Sequence, residues 1–110
     1  MLVTSGIVVV GTPSPAAAYC GQPPNNSIPT QNTAVTGSSV AARTGPHVTC
    51  GVVFRANQGS ILTRCWVQGD AVTRNGQTWF TWSWVWHYGL PGAGWMSDAY
   101  LQGSGATRHC

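Results

Sequence analysis

At 110 residues, 43 % hydrophobic and 6 % charged, the chain is long enough for one small domain and too short for a nucleotide-binding domain with anything beside it. Five Arg against two Asp, with no Lys and no Glu, give a net charge of +3, and the Arg residues are too scattered to form the basic stripe that nucleic acid requires. No apolar stretch reaches the roughly 20 residues of a membrane-spanning helix, and six Trp argue against a disordered chain.

Residues 1–18 read as a secretory signal peptide. Leu2, Val3 and Ile7 to Val10 supply its apolar segment, and Ala16-Ala17-Ala18 its small-residue cleavage site, with Tyr19 as the first mature residue. No Lys or Arg precedes the apolar segment, which is a departure from the usual pattern. Residues 19–34, rich in Pro and Asn, show no periodicity and read as a linker or extended arm. Short β-type runs follow: Ser39 to Arg43, Gly51 to Phe54, and Ile61 to Val67, the last with Ile61, Thr63, Cys65 and Val67 on one face. Gln68-Gly69-Asp70 is expected to end that strand, and Asn75-Gly76 is a strong hairpin turn signal. Trp79 to Tyr88 is the longest aromatic run. The stretch Gly89 to Gly94 breaks it, and Trp95 to Leu101 closes the domain. No segment carries a sustained helical period. The expectation is therefore an all-β fold: a small barrel or sandwich of five to six short strands, disulfide-stapled, with an extended N-terminal arm.

Four Cys in a short, exported chain favour two disulfides. Three pairings are possible. Cys50 and Cys65 lie inside the β region while Cys20 and Cys110 flank it, so nesting favours Cys50 with Cys65 and Cys20 with Cys110. Without a C-x-x-C pair, and with His47, His87 and His109 off any finger spacing, no metal or other cofactor is expected.

Several motifs, taken in order, resemble bacterial SH3 (SH3b-type) domains. Val40-Ala41-Ala42-Arg43-Thr44-Gly45-Pro46 is similar to the opening motif, and Val52-Val53, Asn57-Gln58-Gly59 and Ile61-Leu62-Thr63 to the second strand, its turn and the third strand. Trp82-Ser83-Trp84-Val85 resembles the family's W-x-x-V strand, and Gly94-Trp95-Met96-Ser97-Asp98-Ala99-Tyr100-Leu101 its closing motif. The similarity covers about residues 35–101, which sets an SH3-like domain at 35–102 and leaves 103–110 as a tail ending in Cys110. The resemblance implies an SH3-like half-open barrel in which Arg43, Gly45, Pro46, Gly94, Trp95, Asp98 and Tyr100 serve the structure. It also implies a targeting or ligand-binding module of the envelope, and not a catalyst.

The residues themselves give two readings of the aromatic run. With period two, Phe80, Trp82, Trp84 and Trp86 share one face. Either these rings fill the barrel and cover its ends, or they form a groove whose rings stack on sugar or peptide. The candidate ligand-binding residues are Trp82, Trp84, Trp86 and Tyr88. Among the three Trp, Trp82 holds the motif position and should be core, while Trp84 and Trp86 should line the groove with the Gly89 to Gly94 stretch as its wall. Trp66 could pack over a disulfide or extend the aromatic face. Catalysis is hard to build: there is no Glu, the two Asp lie in turn-like contexts, and Cys50, near His47, is expected to be bridged. The expected function is a secreted, monomeric, non-catalytic module that binds the bacterial cell wall, through peptidoglycan peptide or glycan. The alternative is an interaction or inhibitor module that docks its aromatic face on another secreted protein. No nucleic-acid partner and no membrane span are expected.

Overall fold

Alternation of apolar and polar residues across six segments gives β1 (Gln31–Val35), β2 (Val40–Arg43), β3 (Val52–Ala56), β4 (Gly59–Arg74), β5 (Gln77–Trp86) and β6 (Ala93–Ser97). The computed structural model describes residues 19–110, so the signal-peptide reading of Met1 to Ala18 lies outside the described residues. The strands form a single antiparallel sheet in the order β1-β4-β5-β6-β2-β3. Among the described residues there is no α-helix, and no helix is long and apolar enough to cross a membrane. Two single 3-10 turns, Asp98–Tyr100 and Gln102–Ser104, follow β6.

The chain forces this sheet to curl. β3 is an edge strand, yet only Asn57 and Gln58 separate its last residue from the first of β4, on the far side of the sheet. Three Cα steps span at most about 11 Å, so the two ends must approach. Ser39 N donates to Asn57 Oδ1 at 2.8 Å, Gln58 Nε2 to Thr36 O at 3.2 Å, and Val35 bridges Leu101 across the gap. The result is a half-barrel. Inside it Val35, Val40, Ala42, Phe54, Ala56, Ile61, Val85, Met96 and Leu101 form the main core.

Local sequence explains the turns and bends. The β4–β5 hairpin closes on Asn75 (φ 53°) and Gly76 (φ 80°), between the paired Arg74 and Gln77. Two left-handed residues are what a two-residue hairpin of this kind needs, as Asn-Gly signals. Gln68-Gly69-Asp70, by contrast, does not end a strand. β4 continues to Arg74 through a bulge, in which the register passes from Gln68↔Thr81 to Val72↔Trp79. Gly69 is placed there because a Cβ would meet Pro46 and Trp82. A second bulge lies between Thr63↔Val85 and Trp66↔Ser83. It breaks the expected face shared by Ile61, Thr63, Cys65 and Val67: Ile61 lies in the main core, while Val67 packs on the opposite face of the sheet with Trp82 and Trp95. Period two does not survive an extra residue.

The segment read as a linker is also structured. Residues 31–34 belong to β1, paired to β4. The arm before them lies against the outer face of the sheet: Gly21 N donates to Thr44 O, Trp95 Nε1 to Gln22 O at 2.9 Å, and Arg64 Nη1 to Ile28 O at 2.7 Å. The C-terminal tail runs beside β4 where β1 has left it, with Trp66 N donating to Arg108 O and Cys110 N to Trp66 O.

These two segments decide the disulfides. The structure joins Cys20 to Cys50 and Cys65 to Cys110, which overturns the nested pairing. Cys50 is fastened to the end of β2 by Thr44 N to Gly51 O and by Arg43 Nη1 to Cys50 O, whereas Cys65 is on β4. From β4 to β2 is three strand spacings, roughly 14 Å, about twice the reach of a disulfide. Each core cysteine instead takes the terminal segment that lies against it. Gly45 permits the first of these contacts, since a Cβ there would lie 2.7 Å from Tyr19 O and 2.9 Å from Cys50 Sγ.

Asp98 ties the closing turn to β5. Its carboxylate, 1 % exposed, accepts hydrogen bonds from Thr81 Oγ1 at 2.6 Å and Ser83 Oγ at 2.5 Å, and Ser83 Oγ accepts Ala106 N. Burial pushes its pKa up to about 6, against the lowering by the two hydroxyls. The native state therefore keeps its proton between about pH 4 and pH 6 while the unfolded chain has released it, so stability falls as pH rises through that window. The expected loss is on the order of 3 kcal/mol. Measured by denaturant unfolding from pH 4 to pH 7, the stability of the wild type relative to Asp98→Asn should decline up to about pH 6 and then level off; a flat difference would refute this.

Candidate functional site

The outer face of β5 and β6 carries the aromatic row. Trp82, Trp84 and Trp86 alternate out of β5, opposite Ser97, Trp95 and Ala93 of β6. The Trp84 and Trp95 rings meet edge to face with centroids 5.2 Å apart. Cover differs along the row. Trp82 is 2 % exposed, packs with Val67 and Trp95, and donates its indole N–H to Asp70 O at 2.9 Å. Trp95, also in this cluster, is sealed by the arm. Trp84 and Trp86 are only half-buried, and Tyr88 just beyond them is 87 % exposed. Phe80, at the other end of the row, is exposed beside the β4 bulge.

Trp84, Trp86 and Tyr88 line one open depression of about 460 Å³ together with Arg64, His87, Leu90, Gly92 and Ala93. The structure thus brings together three of the four candidate ligand-binding residues and puts the fourth, Trp82, in the packed cluster. The Gly89 to Gly94 stretch contributes Leu90, Gly92 and Ala93 to the wall, although β6 already begins at Ala93. His87 Nδ1 accepts Gly89 N at 3.0 Å, which shapes the turn beside Tyr88.

Two features of the depression bear on ligands. The indole N–H groups of Trp79, Trp82 and Trp95 donate to Ser104 Oγ, Asp70 O and Gln22 O. Those of Trp84 and Trp86 have no acceptor among the described residues and are open to solvent. The second feature is Arg64, which pattern reading did not single out. Its guanidinium carbon stands 5.5 Å from the centroid of the Trp86 ring, its Nη1 holds Asn26 O and Ile28 O of the arm, and its buried Nε has no partner. The ring is thereby held by a cation at its face. Only the cross-strand geometry at the β4 bulge brings Arg64 there, and nothing in its flanking residues signals it.

Arg43 donates from Nη1 to Cys50 O at 3.0 Å, bracing the loop that contains Gly45 and the fully buried Pro46. His47 and Asp70 pin that loop to the β4 bulge at 2.9 Å. Partial burial pushes the Asp70 carboxyl up, but the hydrogen bonds from His47 and Val48 N prevail and hold it below the ordinary value. Gly94 pairs with Val85, and the Tyr100 ring lies 5.0 Å from the Arg74 guanidinium carbon. Trp66 meets His109 of the tail with ring centroids 4.5 Å apart and planes tilted by 48°, and lies outside the depression. No family model matches this chain, and neither does any curated protein or solved structure.

Proposed function

We propose that the protein is a secreted, non-catalytic binding module of the SH3b type whose Trp84–Trp86–Tyr88 depression takes a ligand of the bacterial cell wall, a peptidoglycan glycan or peptide. One observation carries this reading: two half-buried indoles with unused N–H donors stand beside an exposed Tyr and an Arg, in a single concavity. Ring faces stack on sugar rings or peptide planes, while the indole N–H groups orient their hydroxyls or carbonyls. Two disulfides support an oxidising, extracellular setting. The non-catalytic part of this reading is supported by the chemistry of the side chains. Both Asp carboxylates are committed, one to His47 and Val48 N, the other to Thr81 and Ser83, and all four cysteines are bridged.

The test is retention on purified, insoluble cell wall. Binding should survive high salt, because stacking supplies it, and Trp86→Ala should weaken it by about 1–2 kcal/mol, roughly five- to thirtyfold. Clean flow-through of a folded protein, or undiminished binding by Trp86→Ala, would overturn the proposal.

A further inference from the structure

Beyond Trp82 on the same outer face lies a second concavity, of about 220 Å³. Strand register builds it. Ala41 of β2 stands opposite Arg55 of β3, and Trp82 of β5 opposite Ser97 of β6. Arg43 opposite Trp95 sets β2 against β6, so that Ala41 falls beside Ser97. Four strands thus contribute one row, Arg55–Ala41–Ser97–Trp82, with small residues in the middle and large ones at the ends. The small pair makes a floor, a guanidinium one wall and an indole the other.

The electrostatics of this pocket are one-sided. Arg43 and Arg55 both line it, with the hydroxyl residues Ser38, Ser39 and Tyr100. Arg43 uses Nη1 on Cys50 O, and Arg55 uses Nη1 on Ser39 O at 2.9 Å. A guanidinium has five N–H donors, so most of each remains available to a ligand. No carboxylate lines the pocket: Asp70 is taken by His47, and Asp98 is buried beneath β5 against Thr81 and Ser83. Val40, Val48 and Val72 supply apolar surface around this charge.

We propose that this pocket binds a small oxyanion, a carboxylate or phosphate carried on an apolar stem, with Arg43 and Arg55 as its cationic donors. Charge-assisted N–H bonds from two guanidinium groups hold the oxygens, while Trp82 and the valines take the stem. The site is separate from the Trp84–Trp86 depression and does not rest on what that depression binds.

The experiment is a titration of the intact protein, at constant ionic strength, followed by amide and indole NMR shifts. The probes are N-acetylalanine, methyl phosphate and the neutral N-acetylalanine amide. Saturable shifts at residues 38–41 and at the Trp82 indole are expected with an oxyanion and not with the amide. A response to the carboxylate alone, or to the phosphate alone, supports the site and names the source. Arg43 also braces its loop, so the decisive variants are Arg55→Gln, on an exposed residue, and Ala41→Asp, which puts a carboxylate on the floor. The first should weaken binding at least fivefold and the second abolish it, whereas Trp86→Ala should leave it unchanged. Equal shifts with the amide, no saturable shift, or full affinity in a folded Arg55→Gln protein would overturn the proposal.

Discussion

Trp82→Ala should cost about 3–5 kcal/mol of folding stability, as large truncations in well-packed cores do. Trp82 is 2 % exposed, packs against Val67 and Trp95, and satisfies Asp70 O through its indole N–H. Its loss opens a cavity beside Val67 and Trp95 and leaves a carbonyl at the β4 bulge without its donor. A domain of this size holds only about 5–15 kcal/mol in total, so much of the protein would be unfolded at moderate urea. Trp86→Ala, on a half-buried ring at the end of β5, should lose less than half as much. Urea unfolding of both variants, followed by far-ultraviolet circular dichroism, compares them directly. Equal losses would mean that the row is core throughout, and the binding reading of Trp86 would fall with it.

That contrast shows which parts of the molecule can be read from residue order. The Asn75-Gly76 turn was legible because its chemistry is local: two left-handed positions in succession admit few other residues. So was the all-β character, which follows from short alternating runs and turn residues; those runs left barrel and sandwich open, and the half-open barrel was implied by the resemblance to SH3b domains. The split within the aromatic row was partly legible, since Trp82 occupied a motif position; its burial, however, depends on what covers it. The cover is Val67 and Trp95, and Trp95 is in turn held by the arm, whose Pro and Asn content suggested a linker but whose backbone carbonyls accept from Trp95 and Arg64. Alternation also misled at Ile61, Thr63, Cys65 and Val67, because a bulge costs one residue in sequence and turns every later side chain to the other face. The oxyanion pocket was invisible for a related reason. Arg55, Ala41, Ser97 and Trp82 come from four strands, and only the register of β3, β2, β6 and β5 brings them into one row.

Removing the Cys65–Cys110 bridge should be the most damaging change outside the aromatic cluster. The bridge closes a loop with a sequence separation of 45 residues. On the chain-entropy account such a closure is worth about 4 kcal/mol. The native contacts it protects are particular ones. The tail gives β4 a neighbour at Trp66, packs His109 at a tilt against the Trp66 ring, and carries Ala106 N to Ser83 Oγ, which in turn holds Asp98. Freed at Cys110, the tail has backbone bonds at Trp66 and a few side-chain contacts to keep it in place, so fraying should propagate toward the Asp98 turn. The double variant Cys65→Ser/Cys110→Ser, which leaves no odd thiol to form a wrong bridge, is expected to lose about 4 kcal/mol and hydrogen-exchange protection at the amides of Trp66, Ala106 and Cys110. The corresponding Cys20→Ser/Cys50→Ser variant frees the arm instead, and protection should then be lost at Gly21, with Trp95 gaining exposure to a collisional quencher. Non-reducing peptide mapping supplies the prior condition: it must join Cys20 to Cys50 and Cys65 to Cys110. A Cys50–Cys65 peptide would contradict the sheet order itself, because those two residues could meet only if β4 lay beside β2.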